Sequence, residues 1–187
     1  MKRTPARILK KITAHPLFDE NKQIVVGRGN SHKPEFLILG EAPGKQENRQ
    51  GLPFVGRAGR VLDKWLGAAG VDDFYISNVI PLMPVDERGK IRGPRKNELE
   101  YFIFFADWVI READPRCILT LGDSATWALA KMRTRDLMGR VSRRDGKPLT
   151  GIFHPARYIR SNQQDSAGLR DFTQAVHLLR EQGGLQI

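Results

Sequence analysis

Short apolar runs alternate with longer amphipathic segments along this 187-residue chain, and that alternation constrains its fold more than any other feature. The short runs are rich in β-branched and aliphatic residues, which is typical of buried strands, whereas the longer segments repeat apolar residues at helical spacing. Strands that alternate with helices favour a parallel sheet covered by helices on both faces. The predicted strands are 35–39, 75–80, 117–121 and 150–153, and the predicted helices are 4–13, 58–69, 96–112, 123–132 and 166–181.

The predicted architecture is therefore a three-layer α/β/α fold around a central, mostly parallel, four-stranded sheet. The sequence shows no internal repeat and no linker, so we expect a single domain over residues 1–187, a length that can bury one ordinary core. Right-handed connections bring the carboxyl ends of parallel strands to one edge of the sheet. We expect Glu41, Asn78 and His154 to converge there, because each lies near the carboxyl end of a predicted strand.

A long Gly- and Pro-rich loop follows the first predicted strand, from Gly40 to Gly59. In α/β proteins such loops at strand carboxyl ends commonly bind ligands. This loop carries one carboxylate, Glu41, and one aromatic ring, Phe54, among several glycines, a combination suited to holding a flat ring beside an acid. It lacks a Gly-Lys-Ser/Thr ending, which argues against the phosphate cradle of a nucleoside triphosphatase.

The charge of the chain favours a polyanionic partner. Lysine and arginine total 31 against 21 acidic residues, a net charge of +10. Contacts with phosphates release counterions and steer encounter, although a basic surface can also serve solubility alone. The uneven distribution favours DNA over solubility, because a basic cluster lies between residues 131 and 147: Lys131, Arg133, Arg135, Arg140, Arg143, Arg144 and Lys147.

Other features of the sequence indicate a cytoplasmic protein without membrane association. No apolar run approaches the roughly 20 residues that span a bilayer, and the basic residues at the start are not followed by an apolar segment typical of secretory signals. The one cysteine, Cys117, excludes an internal disulfide and suits a reducing compartment. Its apolar neighbours predict a small core residue. We expect the chain to be a monomer.

Three segments carry a family resemblance. Glu41-Ala-Pro-Gly44 followed by Gly51-Leu-Pro-Phe-Val-Gly-Arg-Ala-Gly59 resembles the first signature of the uracil-DNA glycosylase superfamily, closest to its thermophile-type family four. Residues 75–80, Tyr-Ile-Ser-Asn-Val-Ile, resemble the family's strand that ends in Asn-Val. Residues 154–160, His-Pro-Ala-Arg-Tyr-Ile-Arg, resemble its His-Pro motif and DNA-inserting loop. The three motifs occur in the family's order and together span most of the chain.

The resemblance implies a monofunctional DNA glycosylase that flips uracil out of DNA and hydrolyses its N-glycosidic bond, leaving an abasic site for base excision repair. Such a reaction needs an anion and a positioned water beside a cationic sugar, and hydrogen-bond donors beside the departing base. It also needs a stacking surface, a reader of the base edge and a group that fills the gap in the duplex. DNA is the implied partner, and no metal or organic cofactor is expected.

The resemblance also assigns roles to residues. Glu41 would serve the water or sugar cation and His154 the O2 of the base. Asn78 would read the uracil edge and Phe54 would stack on the ring. Ala42 and Gly44 would line the base site, with Ala42 at the position where another branch of the superfamily has a water-activating aspartate. Glu47 is a possible second acid. Five of these residues also have a structural alternative: a loop tether or solvated surface position for the two acids, core packing for Phe54, local capping for Asn78 and a structural histidine for His154.

The last motif would supply contacts with the DNA backbone and stack. In this interpretation Arg157 and Arg160 hold phosphates, and either Tyr158 or Ile159 enters the base stack, a known way of opening a base step. The alternative is that this run simply begins the connection to the last helix.

The chain departs from family four where that family carries a four-cysteine iron–sulfur cluster. The corresponding positions hold Ile12, His15, Leu82 and Phe102, so with one cysteine no such cluster can form, and we expect ordinary packing in its place. The altered surroundings include an irregular polar segment over residues 83–97. Other departures are Asn48 in place of an acid, Pro81-Leu82-Met83 in place of Lys-Cys-Arg, and Ala156 where many relatives have serine.

These departures leave two alternatives to uracil excision. The protein could excise another deaminated or modified base, such as hypoxanthine, xanthine or a hypermodified base. It could instead be a DNA-binding module that keeps the scaffold without catalysis.

Overall fold

The computed structural model describes residues 4–160 and 165–183 of the chain. Its strands form one sheet of six, whose members are β1 (Arg28–Gly29), β2 (Phe36–Gly40), β3 (Phe74–Asn78), β4 (Cys117–Leu121), β5 (Ser142–Arg144) and β6 (Lys147–Ile152). The order across the sheet is β1-β3-β2-β4-β6-β5.

The four central strands are parallel, as the sequence predicted. β2 pairs in parallel with both β3 and β4, and β4 pairs in parallel with β6. The two edge strands are antiparallel to their neighbours and raise the count from the predicted four to six. Both edge strands are very short, and the β5 residues Ser142–Arg144 are polar, so neither carries the apolar run on which strand prediction depends.

Five of the helices match the sequence predictions to within two residues at each end. The helices are α1 (Ala6–Thr13), α2 (Lys45–Gln50), α3 (Arg57–Ala68), α4 (Lys96–Ala113), α5 (Asp123–Ala130), α6 (Thr134–Leu137), α7 (Pro155–Arg160) and α8 (Asp165–Gln182). The sequence did not predict α2, α6 or α7, which are too short to show a helical period clearly. For α7 this corrects the expectation that residues 157–160 form a loop.

Alternation along β2 shows how the sheet divides the core into two layers. Leu37 and Leu39 pack into one apolar cluster with residues of α1, α4 and α5, and Phe36 and Ile38 pack into a second cluster with residues of α3 and α8. Successive side chains of a strand point to opposite faces, so the two clusters lie on opposite sides of the sheet. The three-layer α/β/α arrangement is confirmed. None of the helices within residues 4–160 and 165–183 is long and apolar enough to cross a membrane.

The positions that correspond to the cluster cysteines of family four lie in the first of these apolar layers. Ile12, Leu82 and Phe102 are fully buried in it. The His15 ring lies 4.7 Å from the Phe102 ring, and its Nδ1 accepts the backbone N–H of Leu17 at 3.1 Å. Burial lowers the pKa of His15, against an opposing effect of the Glu98 charge.

The donor atoms in this layer do not fit an iron–sulfur cluster, which requires thiolates. The one cysteine of the chain lies on β4, where its Sγ donates to the carbonyl of Leu179 at 3.3 Å. Burial raises the pKa of the Cys117 thiol to about 11, so it is a protonated core residue, as its sequence context indicated. Within the described ranges no group of three or more His, Cys, Asp or Glu side chains is arranged to hold a metal ion.

Candidate functional site

The carboxyl ends of β2, β3, β4 and β6 meet at one edge of the sheet and bring the candidate residues together. Glu41 follows β2, Asn78 ends β3, and His154 lies shortly after β6. Gly122, which follows β4, lies between two of them: a Cβ built there would be 3.1 Å from the Glu41 carboxyl carbon and 3.2 Å from the His154 Cβ. The backbone of Gly122 has φ +97°, which a side chain would strain.

Two adjoining cavities open at this edge. The first, here called the inner pocket, has a volume of about 330 Å³ and is lined by Phe54, Asn78, His154, Ala42, Gly44, Glu47 and five residues of α2, α3 and the loop between them. The second, here called the outer groove, has a volume of about 490 Å³, and Glu41, Asp123, Arg157 and the 84–94 segment line it. Ala42, Gly44 and His154 border both cavities.

The inner pocket has an aromatic wall and a polar floor. The Phe54 ring lies 5.5 Å from the His154 ring at an interplanar angle of 27°, and the Asn78 amide is almost fully buried. Both side chains approach Gly40 on β2, where a Cβ would lie 2.5 Å from the Phe54 ring and 2.6 Å from the Asn78 Oδ1. The pocket therefore exists in this form because position 40 has no side chain.

Phe54 reaches the pocket through an unusual backbone conformation, with φ +53°. Non-glycine residues seldom adopt this region and need neighbours that hold them there. Arg28 on β1 provides such contacts: its Nε donates to the Pro53 carbonyl at 3.0 Å and its Nη2 to the Phe54 carbonyl at 3.4 Å. The same guanidinium pairs with Asp63 of α3 at 2.5 Å. The role of Arg28 was not predicted from the sequence, because this residue lies 25 positions before Pro53.

Glu47 organises the loop that carries Phe54. Its Oε2 accepts the backbone N–H of Gly44 at 3.1 Å, and its Oε1 accepts those of Val55 and Gly56 at 3.0 and 2.8 Å. A carboxylate used in this way ties the amino end of α2 to the start of α3. The geometry favours the loop tether over the possible second acid, and it leaves the Gly44 N–H engaged with Glu47.

Glu41 lies at the amino terminus of α5. The backbone N–H of Ser124 donates to its Oε1 at 3.2 Å. Unpaired N–H groups and the helix dipole favour a negative charge at this end of a helix. The carboxylate therefore lies where a helix end favours negative charge, and it lines the outer groove beside the inner pocket.

The hydrogen bonding of His154 identifies its tautomer. Its Nδ1 accepts the backbone N–H of Ala156 at 3.2 Å, in the first turn of α7. An Nδ1 that accepts a hydrogen bond carries no proton, so in the neutral ring the proton is on Nε2. The imidazole consequently presents an N–H donor on the side opposite to its backbone contact. The sequence could not predict this tautomer, because the His-Pro pair does not show which backbone N–H the ring would accept.

The residues of the last sequence motif, 154–160, lie partly at the surface and partly in the core. Arg157 is exposed, with its guanidinium 3.9 Å from the centre of the Phe153 ring beside the outer groove. Tyr158 is buried, packs edge-on against Trp65 and donates its hydroxyl to Asp171. That packing makes it a core residue and leaves Ile159, which is partly exposed, as the candidate for entry into a base stack. The Arg160 side chain lies outside the described part of the structure.

Comparison with known proteins gives the family. The model for the uracil DNA glycosylase superfamily matches residues 26–180. That range contains all the residues placed at the site above. The chain belongs to the uracil DNA glycosylase superfamily.

Relatives within the superfamily resemble this chain over most of its length. A type-4 uracil-DNA glycosylase of Thermotoga maritima is 31% identical over 189 residues, which cover 94% of this chain and 93% of the relative. A type-4 uracil-DNA glycosylase of Pyrobaculum aerophilum is 34% identical over 168 residues, 82% of each chain. One of Archaeoglobus fulgidus is 32% identical over 151 residues, 72% of this chain and 71% of the relative.

Proposed function

We propose that this protein is a DNA glycosylase that hydrolyses the N-glycosidic bond of uracil in DNA and leaves an abasic site for base excision repair. The observation that carries the proposal is the inner pocket, where an aromatic face, a buried amide and an imidazole N–H surround one cavity with a carboxylate in the adjoining groove. The names of the relatives, all type-4 uracil-DNA glycosylases, support the choice of uracil.

Recognition of the base would take place in the inner pocket. The extruded ring stacks on Phe54, and the Asn78 amide pairs with its edge. An amide can donate to O4 of uracil and accept from its N3–H, whereas cytosine presents the reverse pattern of donor and acceptor. Because the amide is buried, a base that left it unpaired would bear the cost of an unsatisfied polar group. The pocket thus favours uracil over cytosine.

Bond cleavage would use His154 and Glu41 in complementary ways. As the bond lengthens, negative charge develops on the base, and the Nε2–H of His154 donates to O2 where that charge collects. The sugar develops positive charge, which the carboxylate of Glu41 stabilises while it orients the attacking water. Water adds to C1′ of the sugar, the bonding electron pair leaves with the base, and the proton of the water passes to solvent or to the base.

The deciding experiment uses labelled oligonucleotides that contain one uracil, as a single strand or opposite guanine or adenine, followed by alkaline cleavage of abasic sites. We expect strand cleavage with the parent protein. Glu41→Gln should lower kcat by about 10²–10⁴-fold, the usual contribution of a positioned acid or base. His154→Ala should lower it by about 10²–10³-fold, the usual contribution of one donor to a developing anion.

The matched control is Glu20→Gln, which makes the same chemical change at an exposed acid away from the site and should leave activity unchanged. Excision of hypoxanthine or xanthine without excision of uracil would show that the base has been misassigned. Binding of DNA without an abasic product on any of these substrates would contradict a glycosylase and support the binding module.

A further inference from the structure

Trp127 lies in a third cavity that the proposed reaction does not use. It is on α5, and of the three tryptophans of the chain it alone is partly exposed, since Trp65 and Trp108 are each only 1% exposed. The cavity has a volume of about 360 Å³ and is here called the Trp127 cleft. Its lining consists of Pro94, Lys96, Leu99, Asp123, Ser124, Trp127 and Arg133.

Two lysine ammonium groups lie beside the indole ring. The Lys131 Nζ lies 4.1 Å from the ring centre and the Lys96 Nζ lies 5.2 Å from it. Both lysines are exposed. Lys96 lies 4.0 Å from the Glu100 carboxylate, whereas Lys131 forms no ion pair with an acid among the residues that the structure describes. The acidic side chain of the lining, Asp123, is engaged by the backbone N–H of Thr134 at 3.0 Å. An aromatic face beside exposed cations is the usual composition of a site for single-stranded nucleic acid.

The cleft continues the line of the other two cavities. It shares Pro94 and Asp123 with the outer groove, which in turn shares three residues with the inner pocket. Ser124, whose N–H holds Glu41, and Trp127 are three residues apart on α5 and so lie on one face of the helix, about 4.5 Å apart along its axis. A DNA strand with its target nucleotide in the inner pocket can follow this line to the indole.

We propose that the Trp127 cleft binds an unpaired nucleobase of the strand that carries the target nucleotide. The base stacks on the indole, and Lys96 and Lys131 move from the ring to the adjacent phosphates. The cleft thereby gives single-stranded DNA a second stacking site outside the inner pocket. The identity of the strand rests on the proposed function, whereas the binding of an unpaired base does not.

Intrinsic fluorescence tests this directly, because the other two indoles are buried. The probe is an oligothymidylate without uracil, and the control is an oligomer of equal length with tetrahydrofuran in place of every nucleoside, which keeps the phosphates and lacks the bases. We expect oligothymidylate to quench the fluorescence and the baseless oligomer to leave it nearly unchanged at equal occupancy. Bound oligothymidylate without quenching, or equal quenching by both oligomers, would overturn the proposal.

Variants supply a second readout by fluorescence anisotropy of a labelled oligothymidylate. Trp127→Ala should weaken binding about fivefold or more, the lower limit for loss of one base–aromatic stack, and Trp127→Phe should keep most of the affinity. Tyr101→Ala is the matched control, since it removes an aromatic ring that is 39% exposed and lines none of the three cavities. Equal affinity of Trp127→Ala and the parent would refute the stacking site. Thermal melting shows that each variant is folded.

Activity assays separate this proposal from the proposed function. With uracil in a single strand, Trp127→Ala should raise KM and leave kcat unchanged, and with uracil in a duplex its effect should be smaller. A parent protein without uracil excision would refute the proposed function, yet the uracil-free oligomers would still test the cleft. Equal KM values on single-stranded uracil for the parent and Trp127→Ala would refute the role of the cleft alone.

Discussion

The inner pocket requires that position 40 has no Cβ atom. Gly40 ends β2, and the Phe54 ring and the Asn78 amide both occupy the space that a side chain at this position would fill. Two residues that we propose recognise the base are thus brought together by a third that has no side chain. The glycine is needed for close approach and not for an unusual backbone angle.

We predict that Gly40→Ala disrupts the site. The added Cβ would lie about 2.5 Å from its neighbours, so the ring, the amide or both must move. Overpacking of this kind typically destabilises a protein by about 1–3 kcal/mol, and we expect uracil excision to fall more than tenfold, about 1.4 kcal/mol in barrier height. Steady-state kinetics and urea unfolding measure the two effects.

The control for this prediction is Gly67→Ala in α3. A Cβ at Gly67 meets no atom within 4 Å, and alanine is favoured over glycine in a helix by about 1 kcal/mol. This variant should be as active as the parent and at least as stable. Similar losses in both variants would show that the crowding at position 40 is not the cause.

The residues proposed to touch the substrate were easier to find in the sequence than the residues that position them. Glu41, Asn78 and His154 follow or end apolar strands, so the rule for parallel sheets predicted that they would meet. The Arg28 side chain donates to the backbone carbonyl of Pro53, and the backbone N–H of Ser124 donates to the Glu41 carboxylate. Nothing in the identity of either residue signals such a contact, because it depends on tertiary position.

At the scale of secondary-structure elements, an ion pair holds the segment that precedes α4. The two ends of this segment, Pro84 and residues 91–94, line the outer groove, and a bridge between Val85 and Ile91 closes the turn between them. Arg92 donates to the Val85 carbonyl at 3.0 Å and to both carboxylate oxygens of Glu98 at 2.8 and 2.5 Å. Burial alone would raise the pKa of Glu98, but hydrogen bonds from Arg92 and the Arg95 backbone outweigh it and lower the pKa.

We predict that Glu98→Ala destabilises the protein far more than Glu100→Ala. The Arg92–Glu98 pair is largely buried, since the Glu98 side chain is 5% exposed and the Arg92 side chain 18%. Loss of one partner from a buried ion pair leaves an uncompensated charge and costs about 3–5 kcal/mol of stability. Glu100 pairs with Lys96 at 4.0 Å on the same helix but is 54% exposed, and exposed pairs contribute about 0–1 kcal/mol. Urea unfolding compares the two variants.

Glu98→Ala should also impair activity through the groove wall that Arg92 supports, with the larger effect on KM. The double variant Glu98→Ala with Arg92→Met removes both charges and should recover part of the lost stability. If the single and double variants are equally unstable, the buried charge is not the cause of the loss.

The elements that the sequence did not predict are those with the least local signal. Long amphipathic helices and apolar strands carry enough periodicity to be located, whereas α2, α6 and α7 are one or two turns long. α2 depends on Glu47 capping the Gly44 N–H, and β1 on pairing with β3. Such contacts form only when distant parts of the chain meet, so local sequence does not reveal them.

For the protein as a whole, the titration of His15 lowers the free energy of unfolding in acid. Burial lowers the pKa of His15 below its ordinary 6.5. As the pH falls below 6.5, the unfolded chain therefore takes up a proton that the folded chain does not, and unfolding is favoured. Glu98 lowers the stability further in stronger acid. Its pKa is lowered in the folded state, so the stability that its charge contributes is lost as the pH falls through that folded-state pKa.

We predict that the melting temperature falls as the pH is lowered from about 7 to about 5.5 and that His15→Phe makes this decline shallower. Phenylalanine keeps an aromatic ring against Tyr101 and Phe102 but cannot be protonated. Calorimetry over this interval measures the slope for both proteins. The same slope in both would mean that the proton uptake occurs at another group.

The buried position of Cys117 has a practical consequence for chemical labelling. The chain has no other thiol, and this one is a fully buried donor on β4 whose high pKa keeps it protonated. Maleimides and alkylating agents react with thiolates that they can reach, so the folded protein offers them almost no background. A cysteine introduced at an exposed position such as Glu20 would then carry a single fluorophore without removal of the native residue, and movements of the protein along DNA could be followed from that one point.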